Sequence, residues 1–274
     1  MPPLADRALT VRPELFSLQR QALSVRLVQA LVQAFLGLPN YRDEDAARFR
    51  TIALPLLRGT QRALAGLASA QQAQLASAQL GRLIPAPPLP DRVSVDLRGT
   101  DPADVYTRPF TSVYTHVART GNLTEAVERG ASRLREEAEG DLQLTYAHAT
   151  RASVTALRAL YWRRVLIGEA NCALCVLAST MKYRRDDLNP IHHACNCEVV
   201  AVYNTRNDPV QDETAVVEAV HAAAREVAGA DDRGGRKVDY RRIRTTITQQ
   251  HGELGTLLRN PSHDFTDERD ALSA

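Results

Sequence analysis

Residues 171–203 read NCALCVLASTMKYRRDDLNPIHHACNCEVVAVY, and they hold all four cysteines of the chain, Cys172, Cys175, Cys195 and Cys197, with His192 and His193 between them. Written as spacing, the pattern is C-x2-C-x16-H-x2-C-x-C. A C-x2-C pair on a tight turn aims two thiolates at one point. A second knuckle of His192 and Cys195 can close a tetrahedron from the far side. Thiolate and imidazole are the donors zinc prefers, and four protein ligands leave no open position for water. The spacing therefore predicts a structural zinc site drawn from Cys172, Cys175, His192, Cys195 and Cys197. That is one donor more than a tetrahedron needs. Cys172 and Cys175 are the firmest pair, and His192, Cys195 and Cys197 compete for the other two places. A surplus cysteine can serve as a small buried hydrophobe. Metal-free core cysteines and a pair of disulfides are the alternatives. The window ends in EVVAVY, the most strand-like run in the chain.

Upstream of the window the sequence is helical in pattern. In 14–38, Leu23, Leu27, Leu31 and Phe35 recur with Val28, Val32 and Leu36 at helical spacing, and Gly37 and Pro39 end the run. A second helix is expected from the acidic Asp43–Asp45, which suits a helix N-terminus, to about Leu83, with Pro55 kinking or splitting it. Its Ala/Gln-rich half, ALAGLASAQQAQLASAQL, fits either a bundle or surface helix or one that packs on another chain. PAPPLP at 85–90 reads as an extended linker. Val93, Val95 and Leu97 then alternate as a short extended segment. Asp101-Pro102 is a cap-and-first-turn pair for a helix to about Arg119. Further helices are expected over Thr124–Glu139, over 141–168 including Trp162, over Thr214–Val227 and over Arg241–Gln250, with a polar loop at Asp231–Lys237.

The expected fold class is mainly α: a helical N-terminal region at 1–84, the linker at 85–90, and a helical domain at 91–265. That domain contains a small Cys/His-stapled, β-containing subdomain at 171–203, and a tail follows at 266–274. The chain of 274 residues is long enough for a full core. Net charge is +2, distributed as +5 over 1–90, −1 over 91–160 and −2 over 161–274. The basic N-terminal bias is compatible with nucleic acid or an acidic protein surface. Only Lys182 and Lys237 are lysine, a skew toward arginine that suits a GC-rich coding genome. No secretion signal or membrane span is legible, which points to folding in a reducing cytoplasm.

The stretch YWRRVLIGEANCALCVLASTMKYRRDDLNPIHHACNCEVV resembles the core of the Mu F-like head morphogenesis domain of tailed bacteriophages. The likeness rests on Trp162-Arg163-Arg164, then Cys172 and Cys175, Ala178-Ser179, Tyr183, and Pro190-Ile191-His192 through Cys195 and Cys197. DLQLTYAHATRASV before it and HGELGTLL after it are similar to members from phages of actinobacteria, so the resemblance spans roughly 100–265. It implies a minor capsid protein acting near the portal during head assembly. The expected partners are the portal protein or the major capsid protein, with packaged DNA or a second copy also within reach, and no membrane. Such a protein is made in the host bacterial cytoplasm and ends in the virion.

Enzymatic readings find less support. There is no G-x-S-x-G elbow, and the first 90 residues contain no histidine, which disfavours an N-terminal Ser-His protease. A zinc-framed DNA-binding or His-Asn-His nuclease module is the alternative, through His192, His193 and Asn196. Those residues are also needed as ligands, which leaves no independent base and metal pair. His116, His148 and His221 sit at helical positions suited to packing or surface. Arg158, Arg163, Arg164, Arg184 and Arg185 form either a phosphate-binding patch or a solvated helix end.

Overall fold

The computed structural model describes residues 13–89, 99–166, 170–172, 183, 197–204, 218, 244–247 and 256–259. Within them the protein is mainly helical. The helices are α1 (Pro13–Leu36), α2 (Asp43–Leu80), α3 (Pro102–Val105), α4 (Arg108–Thr120) and α5 (Leu123–Ala156). The strands are β1 (Tyr161–Leu166), β2 (Ala170–Cys172), β3 (Cys197–Val202), β4 (Arg244–Ile247) and β5 (Thr256–Arg259). The chain divides into two compact units, one of 1–74 with 83–157 and one of 75–82 with 158–274.

The first unit is a helical bundle. Leu27, Leu31 and Phe35 of α1 meet Phe49, Ala53, Leu57 and Leu64 of α2, Val105 of α3 with Tyr106 just after it, Phe110 and Val113 of α4, and Leu134, Ala138 and Leu142 of α5 in one core. The apolar faces on both sides of the proline-rich stretch at 85–90 thus share a single core. Its centre is aromatic, with the Phe35 ring 5.2 Å from those of Tyr41 and Phe110 and 5.9 Å from that of Phe49. α1 ends where Gly37 donates to the Gln33 carbonyl at 3.1 Å. The start of α2 is held by Asp45, whose carboxylate accepts from the backbone N–H of Asn40 and of Tyr41, each at 2.8 Å. These bonds hold Tyr41 in its left-handed conformation, φ 56°.

α2 is one continuous helix through Pro55, so the proline does not split it, the stronger of the two outcomes (kink or split) that the sequence suggested. Proline removes one backbone donor, and a helix packed along most of its length can absorb that loss. The Ala/Gln-rich half is buried within the chain at Ala65, Ala68, Ser69, Gln71, Gln72, Ala73, Leu75, Ala76 and Ser77. It is therefore a core helix, and its small side chains allow the close approach that such burial requires. Two of its buried polar side chains are bonded within the protein: the Tyr146 hydroxyl donates to Gln71 Oε1, and the Ser69 hydroxyl donates to the Pro87 carbonyl at 2.8 Å.

Asp101 caps as expected, its Oδ1 accepting from Ala103 N–H at 2.8 Å, but the helix beyond it is broken. α3 stops at Val105, and α4 restarts with Pro109 in its first turn. Gly121, at φ 68°, closes α4 in the left-handed conformation that glycine adopts without strain. Asn122 then opens α5, its Oδ1 accepting from Glu125 N–H at 3.2 Å. Asn122→Ala removes this cap and is expected to cost about 1 kcal/mol in urea denaturation, whereas Asn122→Ser is expected to keep most of it.

α5 absorbs both helices expected over Thr124–Glu139 and 141–168, but ends at Ala156. Arg158 turns left-handed at φ 55°, and Leu160 donates to the Val202 carbonyl at 2.8 Å. Trp162 is therefore on strand β1. EVVAVY forms β3, as its composition predicts, and β1 is its antiparallel partner, from Tyr161 opposite Val202 to Leu166 opposite Cys197. A second sheet orders β2-β4-β5. β4 lies where a last short helix, Arg241–Gln250, was expected; the β-branched run Thr245-Thr246-Ile247 suits a strand better. Of the predicted helix at Thr214–Val227, Glu218 alone is described, and it is helical. The extended segment at Val93–Leu97, the loop at Asp231–Lys237 and the tail at 266–274 lie outside the described residues. No described helix is long and apolar enough to cross a membrane.

Candidate metal centre

The second unit places both ends of the Cys/His window on sheets. Cys172 is the last residue of β2, in register with Arg244 of β4. Cys197 is the first residue of β3, in register with Leu166 of β1. For these two cysteines the structure gives backbone position alone. Cys175, His192, His193 and Cys195 lie outside the described residues, as do Asn196, Arg184 and Arg185. Among the described residues no group of three His, Cys, Asp or Glu side chains is placed to hold a metal. The donor set itself, four thiols and one imidazole from which four would bind, fits zinc by chemistry.

Between those ends the window is attached at one more point, which the sequence reading missed. Trp162 N–H donates to the Tyr183 carbonyl at 3.1 Å, and Tyr183 N–H donates back to the Trp162 carbonyl at 2.9 Å. Trp162 has Ala201 of β3 opposite it on one side and this isolated bridge on the other. The two rings stack, with centroids 4.3 Å apart and planes 13° from parallel. The Arg164 guanidinium lies 5.2 Å from the Trp162 ring centre and 5.7 Å from that of Tyr183. An aromatic pair of this kind adds about 0.5–1.5 kcal/mol beyond its burial, and a desolvated cation over it can add about 2 kcal/mol. Trp162 is fully buried, so the stack belongs to the interior of its unit.

The free edge of β3 is also occupied. Gln79 Nε2 donates to the Ala201 carbonyl at 2.8 Å, and Gln79 Oε1 accepts from Tyr203 N–H at 2.6 Å and Asn204 N–H at 3.3 Å. One side-chain amide thus does the work of a neighbouring strand, satisfying a sheet edge that would otherwise invite pairing. Burial pushes the Tyr203 phenol far above its ordinary range, so it stays neutral here.

The arginines read as a phosphate patch or solvated helix end take neither role at two positions. Arg163 and Arg164 are buried on β1, as is Glu198 on β3, while Arg158 is exposed. His116 on α4 lies 3.2 Å from Glu125 Oε1, a carboxylate whose pKa is lowered mainly by Arg129 and next by His116 itself. His148 on α5 has its pKa lowered by burial and then by Arg151. His116 is half-buried and His148 exposed, within the packing or surface positions expected from spacing; His221 lies outside the described residues. No family model, curated protein or solved structure matches the chain.

Proposed function

We propose that this chain is a non-enzymatic minor head protein of a tailed phage, made in the host bacterial cytoplasm and carried into the virion at or near the portal vertex. The observation that supports it most is the Cys/His window itself, with its ends on β2 and β3 and Tyr183 bridged to Trp162. That window is the motif by which the chain resembles Mu F-like head proteins. In this reading Cys172 and Cys175, with two of His192, Cys195 and Cys197, hold a structural zinc ion. When bound, zinc would close the window as a Cys/His-stapled, β-containing subdomain. The helical unit would supply docking surfaces for the portal protein, the major capsid protein or a second copy.

Two measurements test this. Reduced, purified protein is expected to carry about one zinc per chain and to melt several degrees lower after chelation, because metal bound to the folded state alone stabilises it. Zinc-free protein with unchanged melting would remove the metal from the reading. Co-expression with the portal protein of the same phage is expected to give a complex that survives gel filtration. Plasmid cleavage with added divalent metal, abolished by His193→Ala, would instead establish the nuclease alternative.

A further inference from the structure

We propose that the outward face of α1 is a helix-pairing seam, and that its partner is α1 of a second copy of this chain, running parallel and in register. The inference selects one of the three partners named above for the helical unit and does not depend on the zinc reading. α1 carries three charges in its 24 residues, Glu14, Arg20 and Arg26, and is apolar on two sides. One side, with Leu27, Leu31 and Phe35, is packed in the core of the helical unit. On the opposite side Leu15, Leu18, Val25 and Leu36 are 53%, 60%, 45% and 51% exposed. Ala22 and Gln29 are exposed with them, and Val32 lies half-buried at the edge of this face. From Leu15 to Leu36 these positions are spaced alternately by three and four residues, the heptad pattern of a coiled-coil seam. Leu15, Ala22, Gln29 and Leu36 take its a positions, and Leu18, Val25 and Val32 its d positions. A helix apolar on all sides is ordinarily buried, and exposed aliphatics at this spacing mark a surface that another helix covers.

Gln29 decides the occupant. It is the one polar residue in a seam otherwise made of Leu, Val and Ala, and a covered amide needs both a donor and an acceptor. In a parallel two-stranded pair each a residue faces its own counterpart, so the two Gln29 amides meet, one N–H donating to the other carbonyl. In an antiparallel pair a faces d, and each amide would lie against an aliphatic side chain and go unsatisfied. A single polar a residue fixes register in this way, at a cost in affinity. The flanks agree. The exposed residues beside the seam are Gln19, Gln21, Arg26 and Gln33. In the parallel register Gln21, at g, lies across from Arg26, at e of the other copy, so no like charges meet. An acidic or basic partner surface finds almost nothing to complement on this face. α1 is already held by its core side, so pairing avoids the nucleation cost that leaves isolated helices of this length marginal. A seam about 33 Å long on one helix covers less than the roughly 800 Å² per partner of a standard interface, so the pair is expected to dissociate on dilution.

The test is sedimentation velocity on the full chain under reducing conditions, from low micromolar to hundreds of micromolar. Wild type is expected to pass from monomer to dimer across that range. Leu18→Glu combined with Val25→Glu sets carboxylates of both copies against each other in the seam. This double variant is expected to remain monomeric throughout, with an unchanged far-ultraviolet spectrum, because both positions are exposed in the single chain. Gln21→Glu places a carboxylate opposite Arg26 of the other copy and is expected to tighten the dimer a few-fold. Gln21→Arg is expected to loosen it by a similar factor. These two single changes decide the question if the double variant does not fold. Wild type that is monomeric at every concentration overturns the proposal. So does a dimer that the double variant leaves intact, or one that Gln21→Glu weakens, since the helices would then not run parallel in this register. Monomeric wild type whose complex with the portal protein is lost in the double variant would assign the seam to the portal instead. A wild-type dimer that forms no complex with the portal protein supports the seam and overturns the head-protein reading alone.

Discussion

Phe35→Ala is expected to destabilise the helical unit by about 3–5 kcal/mol, the range for deleting a fully buried aromatic side chain. Phe35 has no exposed surface, and its ring meets Tyr41, Phe49 and Phe110 from three different parts of the chain. The substitution leaves a cavity at the junction of α1, α2 and α4, and it also removes the edge-on contacts that orient the other rings. Because a domain is commonly stable by about 5–15 kcal/mol, this single loss is a large share of the whole. Urea denaturation followed by far-ultraviolet circular dichroism measures it. Leu15→Ala is the control: Leu15 is 53% exposed on the same helix, and its replacement is expected to change stability by no more than about 0.5 kcal/mol. If the two variants proved equally mild, the aromatic centre would not be the tight core described above.

Much of this helical unit was legible in the sequence, because its faces are written in local periodicity. The run of Leu23, Leu27, Leu31 and Phe35 predicted α1 to within about two residues at each end, and Asp101 announced its cap. What escaped was decided by contacts distant in sequence. Leu144, Val154, Leu157 and Leu160 keep helical spacing, yet α5 stops at Ala156, because Arg158 turns left-handed and the next residues pair with β3. Arginine gives no sign of a positive φ, and nothing local says that EVVAVY has its partner at YWRRVL. A strand-like run does require some partner, however, and the aromatic and β-branched Tyr161–Leu166 was the nearest one available. The acceptance of Pro55 inside α2 likewise follows from burial along the helix and not from the dipeptides around it.

The candidate site divides in the same way. Ligand type and spacing were legible because zinc chemistry is local to the C-x2-C and H-x2-C-x-C knuckles. The supports were not. Gln79 occupies the β3 edge from more than 120 residues away, and a glutamine in an Ala/Gln-rich helix carries no mark of that duty. Tyr183 stood in the motif as one aromatic among polar residues, and its stacking partner is visible only once Trp162 is on a strand.

Gly130→Ala should reverse the usual rule for helices. In the interior of α5 an alanine would ordinarily stabilise by about 0.5–1 kcal/mol relative to glycine. At Gly130 a Cβ would lie 2.6 Å from Val113 Cγ2, 2.9 Å from Phe35 Cζ and 3.1 Å from the Pro109 carbonyl oxygen. The first two are parts of packed, buried side chains, and the third is backbone, so none can turn aside freely. Overpacking of this kind costs about 1–3 kcal/mol, which exceeds the propensity gain, and Gly130→Val should cost more than Gly130→Ala. α2 provides the matched control, because a Cβ at Gly66 meets nothing within 4 Å. Gly66→Ala is therefore expected to raise stability by up to about 1 kcal/mol in the same denaturation experiment. Opposite signs for one substitution at two helical glycines would locate the close approach of α1 and α4 to α5. Stabilisation at both would mean that these helices pack further apart than the distances at Gly130 require.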